Sequence, residues 1–496
     1  MARLALCILA AVGAIAFIPA PATAASTLNV PGDYATIQAA INAASPGDTV
    51  LVAPGTYAGP VDFQAKAITL ASTSGRDVTT ISGGSTTPVV RINANAGEQP
   101  ALNGFTITGG SNGGVTTTGG PALIENNSIT NNAVCNNGGG VDASFSSATI
   151  RDNVISGNYE SGCSGDFGGG VSIGGAGSVQ LLHNVISGNS ATEGGGVSLF
   201  AAAAAVVDSN VISDNNTTAG PGGGIWVVNG QSQVSITNNV ITGNRGFPGG
   251  GIDESVPFGD RGAFIFNNTL VGNVASPGSA INMEGFDNQA NIVNNILESS
   301  TSASVLNCDT LYQAQPPVVL NNDAISTGGG TAYAGSCSGL QGKNGNFSAD
   351  PQFVNGAAGD YHLQFSSPAI DAGANTGAPT LDIEGTTRPL DGNFDGVAVT
   401  DLGAFELAAK GIVLAELATM RAIVSQLSDP TLVSTLDGKL VDAENAINAN
   451  NPRRACRDLS SFVRTVKSQT GTGIDPATAA TLISDASTVQ QQLRCK

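Results

Sequence analysis

Apolar residues recur along this chain as short runs of alternating isoleucine and valine, a pattern typical of half-buried β-strands. The clearest run is NVISGN, which begins at Asn153 and again at Asn184 and has close variants on either side. The asparagine that opens each copy returns every 26 to 31 residues. A period of that size indicates a solenoid, in which each repeat stacks on the next. The opening asparagines are Asn127, Asn153, Asn184, Asn210, Asn239, Asn268 and Asn295.

Glycine triplets lie between these runs. Glycine permits a tight corner with a positive φ and disfavours a helix, so each triplet predicts a turn of the chain. We expect coils of short parallel strands about 4.8 Å apart, with isoleucines stacked inside and asparagine side chains hydrogen-bonded from coil to coil. Leucine-rich repeats, propeller blades and nine-residue calcium β-rolls fit the period less well. The triplets begin at Gly138, Gly168, Gly194, Gly222 and Gly249.

The front of the chain predicts a cap for this stack. The segment DYATIQAAINAASPGDTVLVAPGTY, from Asp33, reads as a short amphipathic helix and then a strand. Such a helix would cover the first coil, whose interior would otherwise face water. The segment resembles the start of secreted right-handed parallel β-helix proteins of the pectin-lyase-like superfamily, and the resemblance extends over about residues 30–406. It implies the fold and leaves activity open, because that superfamily includes lyases, hydrolases, esterases and proteins without known catalysis.

Two further segments follow the repeats. SPAIDAG, an R-x-x-D-G segment and DLGAFE resemble the closing segment of bacterial choice-of-anchor β-helix surface proteins, which implies an extracellular location. From residue 407 the apolar spacing is helical and predicts four helices, in an order that resembles the FIMAH module of secreted bacterial proteins. The chain is therefore predicted to be mainly β, with a signal peptide over 1–24, a right-handed parallel β-helix with an N-terminal capping helix over 25–406, and a small α-helical bundle over 407–496.

The N-terminus and the cysteines predict export. A cleaved signal peptide typically has a basic residue, then an apolar run, then small residues at the cleavage site, and the chain has Arg3, such a run, and Ala22 to Ala24. No later segment is long and apolar enough to span a membrane. Six cysteines remain, and their even number favours three sequential disulfides, with free buried thiols as the alternative. The first two pairs are each about one coil apart. The six are Cys135, Cys163, Cys308, Cys337, Cys456 and Cys495.

The charge is unevenly divided. Residues 25–406 carry 8 Lys and Arg against 30 Asp and Glu, whereas residues 407–496 carry 10 against 8. A body this acidic repels nucleic acid and is compatible with neutral glycans or divalent cations. The expected partner is therefore a polysaccharide or another cell-surface component.

One column of side chains is a candidate binding site. The residue after the inward Val or Ile that follows each triplet is expected to point outward, because strand side chains alternate. An exposed Trp226, the only tryptophan, beside carboxylates would suit stacking on a sugar ring. Asp253 and Glu284 could form the carboxyl pair of a glycoside hydrolase. The alternative is an acidic solvated face whose single aromatic is covered by a loop. The candidates are Asp142, Phe200, Trp226, Asp253 and Glu284.

A second candidate is a metal site. Asp391, Asn393 and Asp395 with Gly396 reproduce the start of a DxNxDG calcium loop, but Asp401 is eleventh where a twelfth-position carboxylate belongs. An ordinary Asx-rich turn is the alternative, and no other cofactor is expected. The sequence thus predicts an exported surface or extracellular protein that binds glycans or is structural. The alternatives are a glycoside hydrolase or polysaccharide lyase acting on a largely neutral polysaccharide, and an adhesin for a protein partner.

Overall fold

The chain forms a parallel β-solenoid followed by four helices, as the sequence predicts. The computed structural model describes residues 24–495 apart from 85–86, 136, 162–166, 176, 202–203, 219, 229–233, 256–261, 285–289 and 310–316. Residues 1–23, which hold most of the predicted signal peptide, lie outside the described residues.

Three long parallel sheets make the walls of the solenoid. Sheet 1 consists of Thr27–Val30, Thr49–Val52, Thr69–Ser72, Ala101–Asn103, Leu123–Glu125, Thr149–Arg151, Ser178–Leu182, Ala204–Asp208, Val234–Thr237, Phe264–Phe266, Asn291–Val293 and Val318–Leu320. Sheet 2 consists of Gly55–Ala58, Thr79–Ser82, Thr106–Thr108, Ser128–Thr130, Val154–Ser156, Val185–Ser187, Val211–Ser213, Val240–Thr242, Thr269–Val271, Ile296–Ser299 and Asp323–Ser326. Sheet 3 consists of Val61–Asp62, Val90–Ala94, Val115–Gly119, Val141–Asp142, Val171–Gly174, Val197–Phe200, Ile225–Val228, Ile252–Ser255, Ile281–Glu284, Leu306–Asp309 and Tyr333–Gly335.

The repeated residues lie in register, so that a recurrence in the sequence becomes a row in space. Ile155, Ile186 and Ile212, for example, pair directly on sheet 2, and all three are fully buried in one continuous apolar core. A short fourth sheet occupies one corner, with strands Ala133–Val134, Tyr159–Glu160, Ser190–Ala191 and Asn216–Thr217.

The opening asparagines form the predicted ladder between sheets 1 and 2. Asn210 donates from Nδ2 to Oδ1 of Asn239 at 3.0 Å, and Asn239 donates likewise to Asn268 at 3.0 Å. Each side chain also bonds backbone groups, so a fully buried amide is satisfied. The preceding residue of each coil has a positive φ; His183 occupies this position (φ 52°), which makes it a corner residue of the repeat.

The glycine triplets make the corners before sheet 3. Gly222, the first glycine of its triplet, has a φ of +67°, in agreement with the predicted corner of positive φ. A Cβ on Gly224 would lie 2.6 Å from the carbonyl oxygen of Gly251 on the next coil. The corner therefore needs one glycine for its conformation and another for the close approach of two backbones.

The predicted capping helix and the four predicted C-terminal helices are both present. The helix α1, Ile37–Ala43, buries Ile37, Ala40 and Ile41 in the solenoid core and so covers the first coil. At the other end are α2, Ala409–Val424; α3, Pro430–Asn448; α4, Pro452–Gln469; and α5, Pro476–Gln492. Among the described residues, no helix has the length and apolar character needed to cross a bilayer.

The segment 350–407 runs back along the solenoid, and we call it the closing segment. It contains a hairpin of Phe353–Asn355 and Asp360–Leu363 around the 3-10 turn Gly356–Ala358. Its backbone bonds the corner between sheets 1 and 2, where Asn294 Nδ2 donates to the carbonyl of Ala374 at 2.9 Å. On sheet 2, Thr269 Oγ1 accepts from the backbone N–H of Ala404 at 3.0 Å. The closing segment thus contacts sheet 2, on a different side from the face of sheet 3.

Two of the three predicted disulfides are present among the described residues. Cys308 bonds Cys337 across adjacent coils, and Cys456 bonds Cys495 in the helical region. Cys135 is also disulfide-bonded. Cys163 lies outside the described residues, so the pairing of Cys135 with it stays a prediction.

Candidate functional site

The predicted column forms one row on sheet 3. Asp142 pairs with Ser172, Ser172 with Ser198, and Ser198 with Trp226. The row then continues through Asp253 and Asn282. Two residues further along the strands, Phe200 and Glu284 lie in a second row of the same face. The register prediction is therefore confirmed.

The predicted exposure of Trp226 is wrong. Trp226 is only 7% exposed, and Asp253 is 1% exposed. Each glycine corner folds back over this row, so that a Cβ on Gly222 would lie 2.6 Å from Cβ of Trp226, and one on Gly249 would lie 2.4 Å from Cβ of Asp253. The outward-pointing side chains of this row are thus covered by the glycine corner that precedes them in the same coil.

Aromatic rings complete the cover over Trp226. Phe167 stacks on Phe200 with centroids 5.3 Å apart and planes 7° apart, and its centroid lies 5.2 Å from that of Trp226. The indole Nε1 is buried and has no hydrogen-bond partner among the described residues. Trp226 therefore supports the two phenylalanines from beneath.

An open groove lies beside this aromatic cluster, on the same face of sheet 3. Its volume is about 650 Å³, and its walls are Phe145 and Phe200, which are 67% and 37% exposed. The ring of Phe145 lies over Gly175, where a Cβ would come within 2.4 Å of it. Polar side chains line the rest of this sheet 3 groove, namely Thr118, Asn137, Asp142, Ser144 and Ser172.

Asp142 is the acid of the groove. Its Oδ1 accepts hydrogen bonds from the Ser144 hydroxyl at 2.6 Å and the Ser144 backbone N–H at 3.0 Å. Burial raises the pKa of Asp142, and these hydrogen bonds oppose the rise. Asp142 and Phe200 are thus the two predicted candidates that line the groove.

The other two acidic candidates form a separate cluster. Asn282 Nδ2 donates to Oδ1 of Asp253 at 2.8 Å and to Oε1 of Glu284 at 3.3 Å. Burial raises the pKa of Asp253 to about 8; the hydrogen bond from Asn282 opposes the rise, and the nearby carboxylates of Glu284, Glu254 and Glu193 add to it. Asp253 is therefore mostly protonated at neutral pH. Asp253 and Glu284 thus lie on neighbouring coils and share the Asn282 amide, and their role as a catalytic carboxyl pair stays a prediction.

Glu254 is an acid that sequence reasoning missed. It is fully buried inside the solenoid, and its Oε1 accepts from the backbone N–H of Ala263. Burial raises the pKa of Glu254 to about 7. The sequence did contain a signal. Glu254 follows the inward Ile252 by two residues, and side chains two residues apart on a strand point to the same side.

The DxNxDG segment forms an Asx-rich turn. Asp391 accepts from the backbone N–H groups of Asp395 and Gly396, and Asn393 accepts from Asp395 N–H at 2.8 Å. Both oxygens of Asp401 accept from other backbone groups, those of Asp371 and Leu407. In the part of the chain that the structure describes, no group of three or more His, Cys, Asp or Glu is placed to hold a metal ion. Calcium binding stays a prediction.

The residues of the closing motifs form a buried ion pair. Arg388, from the R-x-x-D-G segment, lies 2.9 Å from Oε2 of Glu406, the last residue of DLGAFE. The guanidinium also donates to the carbonyls of Asp401 and Gly403. Glu406 accepts in addition from the backbone N–H groups of Asp401 and Leu390. The two motifs therefore bond each other, which gives them a structural role.

The chain resembles known parallel β-helices. A family model described as the right handed beta helix region matches residues 89–268 and 163–310. Among solved structures, the pectate lyase Pel9A is similar with a TM-score of 0.48 and 17% identity over 77% of this chain and 97% of that chain. The PL6 family alginate lyase AlyGC is similar with a TM-score of 0.32 and 14% identity over 66% of this chain and 54% of that chain. No curated protein matches the chain in sequence. These likenesses are too distant to assign a substrate or a reaction.

Proposed function

We propose that this protein is an exported β-helix protein that binds a neutral polysaccharide in the sheet 3 groove. The observation that carries the proposal is the pair of exposed rings, Phe145 and Phe200, beside a polar floor. Aromatic faces stack on sugar rings, while nearby hydroxyl, amide and carboxyl groups bond their hydroxyls. The disulfides support an extracellular location.

The charge of the protein supports a neutral ligand for this groove. Asp142 lies in its lining, and the solenoid and closing segment carry 30 acidic against 8 basic residues. A polyanion would therefore be repelled from sheet 3. The groove also crosses several stacked strands about 4.8 Å apart, so it suits an extended chain better than a single compact molecule.

The buried acids favour one alternative function, glycoside hydrolysis. A general acid with a raised pKa and a second carboxyl group nearby is the arrangement that glycosidases use. Asp253 and Glu284, joined through Asn282, have this form. Because Asp253 is 1% exposed, binding in the groove is the better supported function.

The experiment tests both functions with one panel of neutral polysaccharides, for example β-glucan, xylan, mannan and galactan. Affinity electrophoresis measures binding, and release of reducing ends measures hydrolysis. We expect Phe145→Ala and Phe200→Ala each to weaken binding about tenfold or more, since each removes a stacking surface. Phe247→Ala is the matched control, because Phe247 is 63% exposed and does not line the groove.

Three results would decide between the functions. Equal losses for all three phenylalanine variants, or no binding across the panel, would contradict the groove proposal. Release of reducing ends by the unmodified protein and its loss in Asp253→Asn, with binding retained, would establish the enzyme instead. Binding lost in the groove variants without any product would leave binding as the function.

A further inference from the structure

A second groove lies between the helical region and the closing segment. Its volume is about 1080 Å³. One wall is formed by α4 and the residues that follow α5, and the other includes Asn393, Phe394 and Asp395 of the Asx-rich turn. Four arginines line it, and we call it the arginine groove. They are Arg453, Arg457, Arg464 and Arg494.

Three of these arginines lie along one face of α4. Arg453, Arg457 and Arg464 are spaced four and seven residues apart, which places them on the same side of a helix. At 1.5 Å per residue they extend over about 16 Å. Arg494 is held beside them because its neighbour Cys495 is disulfide-bonded to Cys456 of α4. One helix and one covalent bond therefore fix the backbone positions of the four arginines.

All four guanidinium groups are exposed, and none forms an ion pair with a carboxylate of the described chain. By contrast, Arg454 on the same helix faces Asp442 and Asp458, and Arg421 on α2 pairs with Asp437. The N-terminal turn of α4 also lies at the groove and adds positive potential. A chain of formal net charge −19 thus keeps four arginines without an ion-pair partner among the described residues in one place, opposite a single lining carboxylate, that of Asp395.

We propose that the arginine groove binds an acidic polysaccharide through its carboxylate or sulfate groups. Guanidinium groups bond such anions in a planar, bidentate way. Charges spread over about 16 Å fit successive anionic units of a polymer better than a single small anion. The ring of Phe394, half-buried at the groove, offers a surface for a sugar ring.

The surrounding charge distinguishes this ligand from nucleic acid. A duplex carries a phosphate charge about every 1.7 Å and would extend beyond the groove over the acidic solenoid. The 30 acids of residues 25–406 oppose that contact. An acidic glycan has a lower charge density. The part of its chain that extends past the groove is therefore repelled less by the acidic solenoid. The site is separate from the sheet 3 groove and does not depend on the function proposed for it.

The test uses the full chain with polygalacturonate as the carboxylate probe, heparin as the sulfate probe and dextran as the neutral reference. We expect binding to one or both acidic probes, reduced about tenfold or more in Arg457→Ala/Arg464→Ala, and a weaker salt dependence of the remaining binding. The matched control is Arg454→Ala/Lys467→Ala, which removes the same charge from α4 outside the groove. Circular dichroism verifies that both double variants keep their helices.

Specific outcomes would overturn the proposal. Equal losses in the two double variants would mean that net charge alone attracts the probes. Unchanged binding in Arg457→Ala/Arg464→Ala would mean that the acidic probes bind elsewhere on the protein. Binding to duplex DNA as tight as to both glycans would mean that the groove does not select an acidic polysaccharide over nucleic acid. Phe145→Ala serves as a cross-check, since it is expected to leave binding of the acidic probes unchanged.

Discussion

At the scale of single residues, the position of an acidic residue in the repeat determines how deeply its carboxyl group is buried. Asp142 lies at an open groove, Asp253 is covered by a glycine corner, and Glu254 points into the core. Burial raises the pKa of all three acids, and for Asp253 the nearby carboxylates add to the rise. The two buried acids become sources of pH dependence.

Glu254 allows a direct test of that pH dependence. Burial raises its pKa from 4.5 to about 7, so between these values the folded state binds a proton that the unfolded state has released. The free energy of unfolding should therefore fall as the pH rises from about 4.5 to about 7. Glu254→Gln should be more stable than the unmodified protein at pH 8, by about 3 kcal/mol, and similar to it at pH 4.

Urea unfolding at several pH values, followed by the fluorescence of the single Trp226, measures this effect. Asp77→Asn, at an exposed acid, is the control and should leave the pH profile unchanged. If Glu254→Gln has the pH profile of the unmodified protein, the carboxyl group is not held neutral by burial.

At the scale of the repeat, asparagine ladders join the coils. Besides the predicted ladder there is a second one, five residues further along each coil, in which Asn189 donates to Asn215 at 3.0 Å and Asn215 to Asn244 at 2.9 Å. The signal for it was present in the last letter of NVISGN. The first ladder was predictable because its asparagine opens every copy. The second, formed by the asparagine that closes each copy, was not predicted, because only the opening asparagines were aligned.

Asn239→Asp tests how much one step of a ladder stabilises the stack. Asn239 Nδ2 donates to the carbonyls of Val207 and Thr237 and to Oδ1 of Asn268. A carboxylate there would donate nothing and would place a charge among three acceptors, in a position that is fully buried. We expect a loss of about 3 kcal/mol or more in the free energy of unfolding.

Urea unfolding followed by Trp226 fluorescence is again the measurement. Asn216→Asp is the control, since Asn216 is half-buried and its side chain belongs to neither ladder. A similar small loss for both variants would show that the ladder contributes little beyond the backbone pairing.

The candidate site shows where sequence reasoning ends. Alternation along a strand correctly placed Asp142, Trp226 and Asp253 in one row. Exposure was not predictable in the same way, because it depends on how the chain before each strand folds back over the row. The importance of Phe145 was missed for a related reason: it follows its strand, in a left-handed conformation (φ 56°), where no repeat period applies.

At the scale of the whole molecule, the closing segment connects the solenoid to the helices. Its apolar residues, including Ile370, Leu402 and Leu407, pack together with Ile296 of sheet 2 and Ala409 of α2. Its partly buried Phe365 and Phe394 also contact the helical core. The segment therefore sets the position of the arginine groove relative to the solenoid. The sequence predicted the existence of both regions, but the return of the chain along sheet 2 depends on contacts between distant residues.

The buried pair of Arg388 and Glu406 holds this segment together, and Arg388→Met should show it. Both side chains are almost fully buried, so removal of the cation leaves a carboxylate without its partner, at an expected cost of about 3–5 kcal/mol.

Urea unfolding, with Trp226 fluorescence for the solenoid and circular dichroism for the helices, measures the loss in Arg388→Met. Arg151→Met, at the partly exposed pair with Glu125, is the control and should cost less than about 1 kcal/mol. Because the penalty comes from the unpaired charge, Arg388→Met/Glu406→Gln should recover part of the stability. Equal effects of Arg388→Met and Arg151→Met would mean that the closing segment is held by its apolar contacts alone.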